Sequence, residues 1–159
     1  MRNRTVKSIA AALAVLLVFA LTACVPSGEQ TQNAAAARAA KLSVLKTDEL
    51  GDILVDGEGN VLYIFVPDEH ETVSCTFTCA SNWPPLTATE GELPSADDGV
   101  DAHLIDTLPN PSGGAVVTYG GWPLYRYAVD RTPGEHHGQN AYLNGGVWLV
   151  MQPNGDPLT

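Results

Sequence analysis

Basic residues are scarce in this sequence. Lysine and arginine together number 8 against 18 aspartates and glutamates, which gives a formal net charge of −10 at pH 7. A chain with this charge repels the phosphate backbone of nucleic acids. Nucleic acid is therefore excluded as a partner, whereas a cation or a basic partner is electrostatically allowed.

Several motifs of known catalytic and cofactor sites are also absent. No serine lies in the Gly-x-Ser-x-Gly setting of a nucleophile elbow, and no Gly-x-x-x-x-Gly-Lys is present to hold a phosphate. The sequence has no Cys-x-x-Cys-His for haem attachment. Beyond residue 24, no stretch carries apolar residues at the period of a long amphipathic helix. These absences favour a non-enzymatic protein of β-structure.

The chain begins with the pattern of a secretory signal. Arg2, Arg4 and Lys7 precede an apolar run at residues 9–21, which is shorter than the roughly 20 residues of a permanent membrane span. Residues 21–24 (Leu-Thr-Ala-Cys) resemble the bacterial lipobox. The resemblance implies a signal peptide at residues 1–23 and acylation of Cys24, which would anchor the mature chain to the cell membrane on its extracytoplasmic face. The alternative is a soluble secreted protein whose Cys24 lies in the discarded segment.

Composition divides the rest of the chain into a tether and a domain. Residues 24–41 consist mainly of small and polar residues and cannot form a core of their own. Residues 42–159 have the length of one compact domain. Because three basic residues and no acid leave with the signal peptide, the mature chain has five basic residues against eighteen acids, a net charge of −13.

Cys75 and Cys79 lie in the predicted domain. An even pair of cysteines outside the cytoplasm is expected to be oxidised. Their spacing is Cys-x-x-x-Cys, which differs from the Cys-x-x-Cys of thioredoxin-like sites. The pair is therefore predicted to form a structural disulfide, and a catalytic thiol-redox pair is the alternative.

A seven-residue motif occurs twice. Residues 62–68 and 124–130 both read Leu-Tyr-x-aromatic-x-x-Asp, and they lie 62 residues apart. Each copy follows an apolar stretch and a glycine-rich turn, which is the pattern of a β-hairpin. Each copy also precedes a tryptophan, Trp83 or Trp148. The repeat predicts two related halves, at about residues 51–86 and 113–151.

Within the motif, residues two apart share one face of a strand. Each hairpin should therefore carry an aromatic pair on one side and an aspartate where its strand ends. The motif residues are Tyr63, Phe65, Asp68, Tyr125, Tyr127 and Asp130. A carboxylate at a strand end can accept backbone amides and fix the turn. Because the aspartate recurs in both copies, this structural role is favoured over a role as a ligand or in catalysis.

The expected fold is all-β, with two related hairpin-containing halves packed as one small domain. Further strands are predicted at residues 102–108 and 147–151, and irregular polar loops at residues 87–99 and 134–146. The Pro-Pro pair at 84–85 stops any helix that begins after Cys79. At most short helical turns are expected.

Taken together, the motifs resemble the bacterial secreted-repeat lipoproteins, which carry paired Tyr-x-(Phe/Trp/Tyr)-x-x-Asp motifs. The resemblance also rests on the segments at residues 79–85, 121–125 and 146–148, and it covers roughly residues 51–155. A glutamine expected near Ala115 is missing. The resemblance implies a lipid-anchored domain with two copies of the repeat and no assigned activity.

Histidines and carboxylates follow both motif aspartates. His136 and His137 come directly after Glu135, and His70 lies in the equivalent loop of the first half. Imidazole and carboxylate ligands suit zinc, copper or nickel, so the three histidines form a candidate transition-metal site. Solvated loop histidines are the simpler alternative, and no resident cofactor is predicted.

The sequence thus predicts a membrane-anchored extracytoplasmic protein that binds an envelope protein or a small ligand without catalysis. Trp83, Trp122 and Trp148 are candidates to line a ligand pocket, although large aromatics in a small β-domain more often form the core. The alternatives are a metal-binding or electron-transfer accessory and a thiol-redox protein. The sequence does not determine an oligomeric state.

Overall fold

A computed structural model of the chain describes residues 41–159 as short strands joined by long loops. The predicted signal peptide, Cys24 and nearly all of the tether lie outside the described residues. Within residues 41–159, no helix is long and apolar enough to cross a membrane. The strands are β1 (Leu42–Thr47), β2 (Gly51–Asp56), β3 (Tyr63–Phe65), β4 (Thr87–Ala88), β5 (Ile105–Pro109), β6 (Ala115–Tyr119), β7 (Trp122–Pro123), β8 (Tyr142–Leu143) and β9 (Gly146–Val150).

Helical structure in this part of the chain is limited to short turns. A five-residue helix, α1, spans Thr78–Asn82, and 3-10 turns span Val66–Asp68 and Ala102–Leu104. The Pro-Pro pair follows α1 closely and prevents its extension, because proline lacks the amide that the next turn would need. The prediction of an all-β fold with short helical turns is confirmed.

The strands form three small sheets. β1 and β2 make an antiparallel hairpin, and β6 lies between β4 and β5 and pairs with β7 at its far end. The third sheet has the order β3-β9-β8, with Tyr63 opposite Val150 and Phe65 opposite Trp148. Because β3 precedes and β9 follows the second copy of the motif, this sheet joins the two halves of the chain.

The local strand predictions differ from the structure in several places. Residues 102–104 were expected to begin a strand, but they form a 3-10 turn and the strand starts at Ile105. The cause is the Asp101 side chain, which accepts the backbone amide of His103 at 2.9 Å and so favours a turn over an extended chain. Three strands also lie where none was predicted. β1 precedes the first hairpin, and β4 and β8 lie in the segments 87–99 and 134–146, which were expected to be irregular loops.

The alternating faces of the motif strand pack into two different parts of the core. Leu62, Ile64 and Leu124 belong to an aliphatic cluster. Tyr63, Tyr125 and both tryptophans of the repeats belong to an aromatic cluster on the other side. The predicted separation of aromatic and aliphatic faces is therefore confirmed.

Arg126 takes the position in the second motif that Ile64 holds in the first. Its Nε lies 2.6 Å from Oδ2 of Asp56, whose side chain is fully buried, although the two groups lack hydrogen-bond alignment. Asp56 also accepts the amides of Glu58 and Asn60 at 2.9 Å. The ion pair thus ties the second motif to the β2 turn of the first half.

Candidate functional site

The two motif strands meet directly at their first tyrosines. The amide of Tyr63 donates to the carbonyl of Tyr125 at 2.8 Å, and the amide of Tyr125 donates to the carbonyl of Tyr63 at 2.9 Å. This pair of reciprocal bonds is an antiparallel bridge between equivalent residues. The two repeats are therefore related by an approximate twofold axis that passes between the two tyrosines.

Each motif tyrosine donates its hydroxyl to the aspartate of the other motif. Tyr63 Oη lies 2.5 Å from Asp130 Oδ2, and Tyr125 Oη lies 2.6 Å from Asp68 Oδ2. Burial, followed by the hydrogen bond to the carboxylate, raises the pKa of both tyrosines. Both hydroxyls therefore remain protonated and act as donors. Tyrosine and aspartate have the same spacing in both motifs, and this spacing serves the exchange between repeats.

The same aspartates hold the loops that follow them. Asp68 Oδ1 accepts the amide of Ser74 at 2.9 Å and its hydroxyl at 2.5 Å. Asp130 Oδ1 accepts the amide of His137 at 3.0 Å and lies 2.9 Å from its Nδ1. Burial raises the pKa of Asp68, while the hydrogen bonds from Ser74 and Tyr125 oppose this effect. The expected turn-fixing role is present, together with a link between repeats that the sequence does not reveal.

Aromatic rings from both repeats form a continuous stack through the core. Trp83 stacks on Trp148 with a centroid distance of 3.8 Å and an interplanar angle of 2°. Each tryptophan also stacks on the second motif aromatic of the other repeat: Tyr127 lies 3.9 Å from Trp83, and Phe65 lies 4.3 Å from Trp148. The stack follows the twofold relationship. Trp83 and Trp148, which the sequence offered as lining for a ligand pocket, pack against each other in this stack. Trp122 lies outside it.

Cys75 and Cys79 form a disulfide, as the sequence predicts. Both cysteines are buried in the aromatic cluster. The bridge closes a loop that displays Phe77, which is 89% exposed and has a positive φ of 52°. Burial of the sulfurs limits the access that thiol exchange requires and favours a structural role.

The predicted histidines lie in different surroundings. His70 packs against Trp122 with a centroid distance of 4.1 Å, in a run of three residues with positive φ, 69–71. His136 places Nδ1 3.0 Å from the carbonyl of Gly134 and Nε2 3.1 Å from Glu49 Oε2. The Gly134 carbonyl, followed by Glu49, raises the pKa of His136.

His137 is the predicted histidine that lies with other metal-ligating groups. One ligand atom each of Asp130, Glu135 and His137 lies within 4.8 Å of the other two. The Glu135 carboxylate accepts the amides of Arg131 and Thr132 at 2.6 and 3.2 Å, and these bonds lower its pKa. Within the described residues, His70 and His136 take no part in such a group. The sequence favours a turn-fixing role for Asp130, with a ligand role as the alternative, and it places Glu135 in one cluster with His136 and His137.

An open groove of about 780 Å³ lies beside this cluster. One wall is the end of β1 and the turn before β2, and the other is the loop after the second motif. The groove is lined by Leu45, Thr47, Asp48, Glu49, Pro133, Gly134, Glu135, His136 and His137. Most of its polar side chains are therefore carboxylates and imidazoles.

A family comparison agrees with this two-repeat architecture. Residues 44–87 and 107–152 both match a family model described as a secreted repeat of unknown function. The chain belongs to this secreted-repeat family. Comparison with curated proteins and with solved structures gives no significant match.

Membership of the secreted-repeat family makes this an extracellular protein of unassigned activity. The first matched segment begins within β1, so it includes the strand that the motif pattern missed. The groove wall from β1 accordingly belongs to the first secreted repeat, and the loop with His136 and His137 belongs to the second. The groove therefore requires both repeats.

Proposed function

We propose that this secreted-repeat protein is anchored to the extracytoplasmic face of the cell membrane through lipid on Cys24 and binds a cationic ligand in the groove, without catalysis. The observation that carries the binding proposal is the set of carboxylates along the groove, from Asp48, Glu49 and Glu135. The ligand class that fits is a basic peptide segment of an envelope protein or a small polyamine.

The charge of the groove is not balanced by lysine or arginine among residues 41–159. Among residues 41–159, the ion pairs of Lys41, Lys46 and Arg126 are with other carboxylates, and Glu49 pairs with His136. No lysine or arginine in this part of the chain forms an ion pair with the three groove carboxylates. An external cation would compete with His136 for Glu49, whereas Asp48 and Glu135 have no lysine or arginine partner among residues 41–159. The net charge of −13 on the mature chain would also favour its approach.

The shape of the groove also supports ligand binding. Its volume of about 780 Å³ lies within the range of roughly 300–1,000 Å³ that small-molecule sites occupy. Leu45 and Pro133 supply apolar surface beside the charged groups, which suits the methylene chains of lysine or a polyamine.

The binding proposal predicts a localised charge effect. Isothermal titration of the purified full chain in detergent with amidated tetralysine should show saturable binding, and neutral tetraglutamine should show none. The Asp48→Asn/Glu49→Gln variant should bind tetralysine about tenfold more weakly, since each exposed ion pair contributes up to ~1 kcal/mol.

A matched control separates the groove from general surface charge. Glu90→Gln/Glu92→Gln removes the same two charges from exposed residues that do not line the groove, and it should leave the affinity nearly unchanged. Equal loss in both double variants, or no binding by the unmodified chain, would refute the groove as a cation site.

The anchor proposal predicts a lipid-dependent location. Mass spectrometry of the N-terminal peptide from the membrane fraction should show cleavage before Cys24 and added acyl mass. The Cys24→Ser variant should show neither the cleavage nor the acyl mass, so no acylated form should be found in its washed membrane fraction. An unmodified Cys24 in membrane-bound protein would contradict the anchor.

A further inference from the structure

We infer that Asp130, Glu135 and His137 form a binding site for a divalent transition-metal ion, with zinc as the ion that best fits their chemistry. The three residues each bring one ligand atom to within 4.8 Å of the other two. A neutral imidazole and two carboxylates are ligands that zinc accepts, at distances of about 2.0–2.2 Å. Three protein ligands would leave a further coordination position for water or another group.

The carboxylates of this cluster are already oriented by other contacts. The Asp130 side chain is 4% exposed, and its Oδ2 accepts the hydroxyl of Tyr63 at 2.5 Å. The Glu135 Oε2 atom accepts two backbone amides of the same loop. Tyr63 thus fixes Asp130 Oδ2, and the loop amides fix Glu135 Oε2, as outer-shell partners do in metal sites. Asp130 Oδ1 accepts the amide of His137 and lies beside its imidazole.

Among the three ligands, the His137 imidazole has the freedom to move that metal binding requires. The His137 side chain is 59% exposed, and its Nδ1 lies 2.9 Å from Asp130 Oδ1. Tetrahedral ligands at zinc distances are roughly 3.4 Å apart, so closure requires a shift of about an ångström in the imidazole or in Glu135. The metal would bind the lone pair of the imidazole nitrogen.

The first repeat shows that an aspartate can hold the loop after its motif without a histidine and a second carboxylate beside it. There the equivalent aspartate, Asp68, receives an amide and a hydroxyl from Ser74, and Tyr125 completes the arrangement. The second repeat keeps the aspartate, the amide and the tyrosine but replaces the hydroxyl with the His137 imidazole and adds Glu135. The difference between the repeats lies in the two groups that bind metals, and both of them line the groove.

The inference does not rest on the proposed cationic ligand, because the metal would be held by its own three residues whether or not tetralysine binds. The test is isothermal titration of the metal-free full chain in detergent with Zn²⁺, and with Mg²⁺ as the comparison ion. One equivalent of Zn²⁺ should bind, and Mg²⁺ should not compete.

Variants distinguish this site from other histidines. His137→Ala should weaken Zn²⁺ binding at least about tenfold, and Glu135→Gln should also weaken it while retaining an oxygen for the two loop amides. His103→Ala removes an exposed histidine outside the cluster and should bind Zn²⁺ as the unmodified chain does. Far-ultraviolet circular dichroism should confirm that each variant is folded.

A spectroscopic measurement keeps the test valid if His137→Ala is destabilised. Electron paramagnetic resonance of the full chain with one equivalent of Cu²⁺ should show coupling to imidazole nitrogen, and Glu135→Gln should alter that spectrum. No Zn²⁺ binding, equal affinity in His137→Ala and the unmodified chain, or a Cu²⁺ spectrum without imidazole nitrogen would overturn the inference. Loss of tetralysine binding with Zn²⁺ binding retained would refute only the cationic ligand.

Discussion

Replacing Trp148 with alanine is expected to lower the free energy of unfolding by about 3–5 kcal/mol. Trp148 is fully buried, stacks on Trp83 and Phe65, and meets the ring of Tyr125 edge-on at 5.2 Å. Its Nε1 also donates to the carbonyl of Leu143. Its removal would leave a cavity at the junction of both repeats and would remove stacking that adds stability beyond the buried area.

Urea denaturation followed by far-ultraviolet circular dichroism measures this effect without depending on tryptophan fluorescence. Trp122→Ala is the matched control, because Trp122 is half-buried, lies outside the stack and contacts His70. We expect its cost to be clearly smaller. Equal costs for the two substitutions would show that the stack contributes no more than an ordinary tryptophan contact.

Asp68→Ala is expected to destabilise the protein by about 3 kcal/mol, because it leaves the buried hydroxyl of Tyr125 and the amide of Ser74 without their acceptor. Tyr125→Phe should cost about 1.5–3 kcal/mol, since it removes a hydrogen bond to a carboxylate. The double variant should cost little more than Asp68→Ala alone. The resulting coupling energy should be about 1.5–3 kcal/mol.

The same urea titrations provide the double-mutant cycle. Asp98→Ala removes an exposed carboxylate and should change the free energy of unfolding by no more than about 0.5 kcal/mol. If the costs of Asp68→Ala and Tyr125→Phe were simply additive, the hydrogen bond between the repeats would not be a source of stability. The cycle for Tyr63 and Asp130 should give a similar coupling, because the two pairs are related by the approximate twofold axis.

Several features of the fold follow from local sequence patterns. The period of two in the motif separates Tyr63 from Leu62, and this alone assigns them to the aromatic and aliphatic parts of the core. The disulfide of Cys75 and Cys79 was predictable because an even pair of cysteines outside the cytoplasm is expected to be oxidised. Polar and glycine-rich segments marked most loops, because turns require residues with those backbone preferences.

The pairing between repeats could not be predicted in the same way. A sequence repeat shows that Tyr63 and Tyr125 are equivalent, but the same pattern is compatible with pairing inside each half or between halves. The structure pairs β3 with β9, and it exchanges both the tyrosine hydroxyls and the stacked rings. β1 lies upstream of both motif copies and carries no part of the repeat pattern, so the motif does not predict it, although Leu42 and Val44 are separated by the polar Ser43.

The candidate site was predicted only in part, because its residues come together through tertiary structure. His70 and His137 were grouped because they follow equivalent aspartates. However, His70 turns towards Trp122 in a left-handed segment, whereas His137 folds back onto Asp130. The groove is formed by segments more than 80 residues apart in sequence, as the contact between Glu49 and His136 shows. Such proximity depends on tertiary structure and leaves no local pattern.

The central claim is that the β1–β2 turn and the loop after the second motif form one ligand site. Hydrogen–deuterium exchange of the full chain, with and without saturating tetralysine, tests it most directly. We predict slower exchange in peptides covering residues 47–50 and 134–139, and no change in the acidic loop at residues 90–101. Protection of that acidic loop, or protection spread evenly over the chain, would contradict the claim.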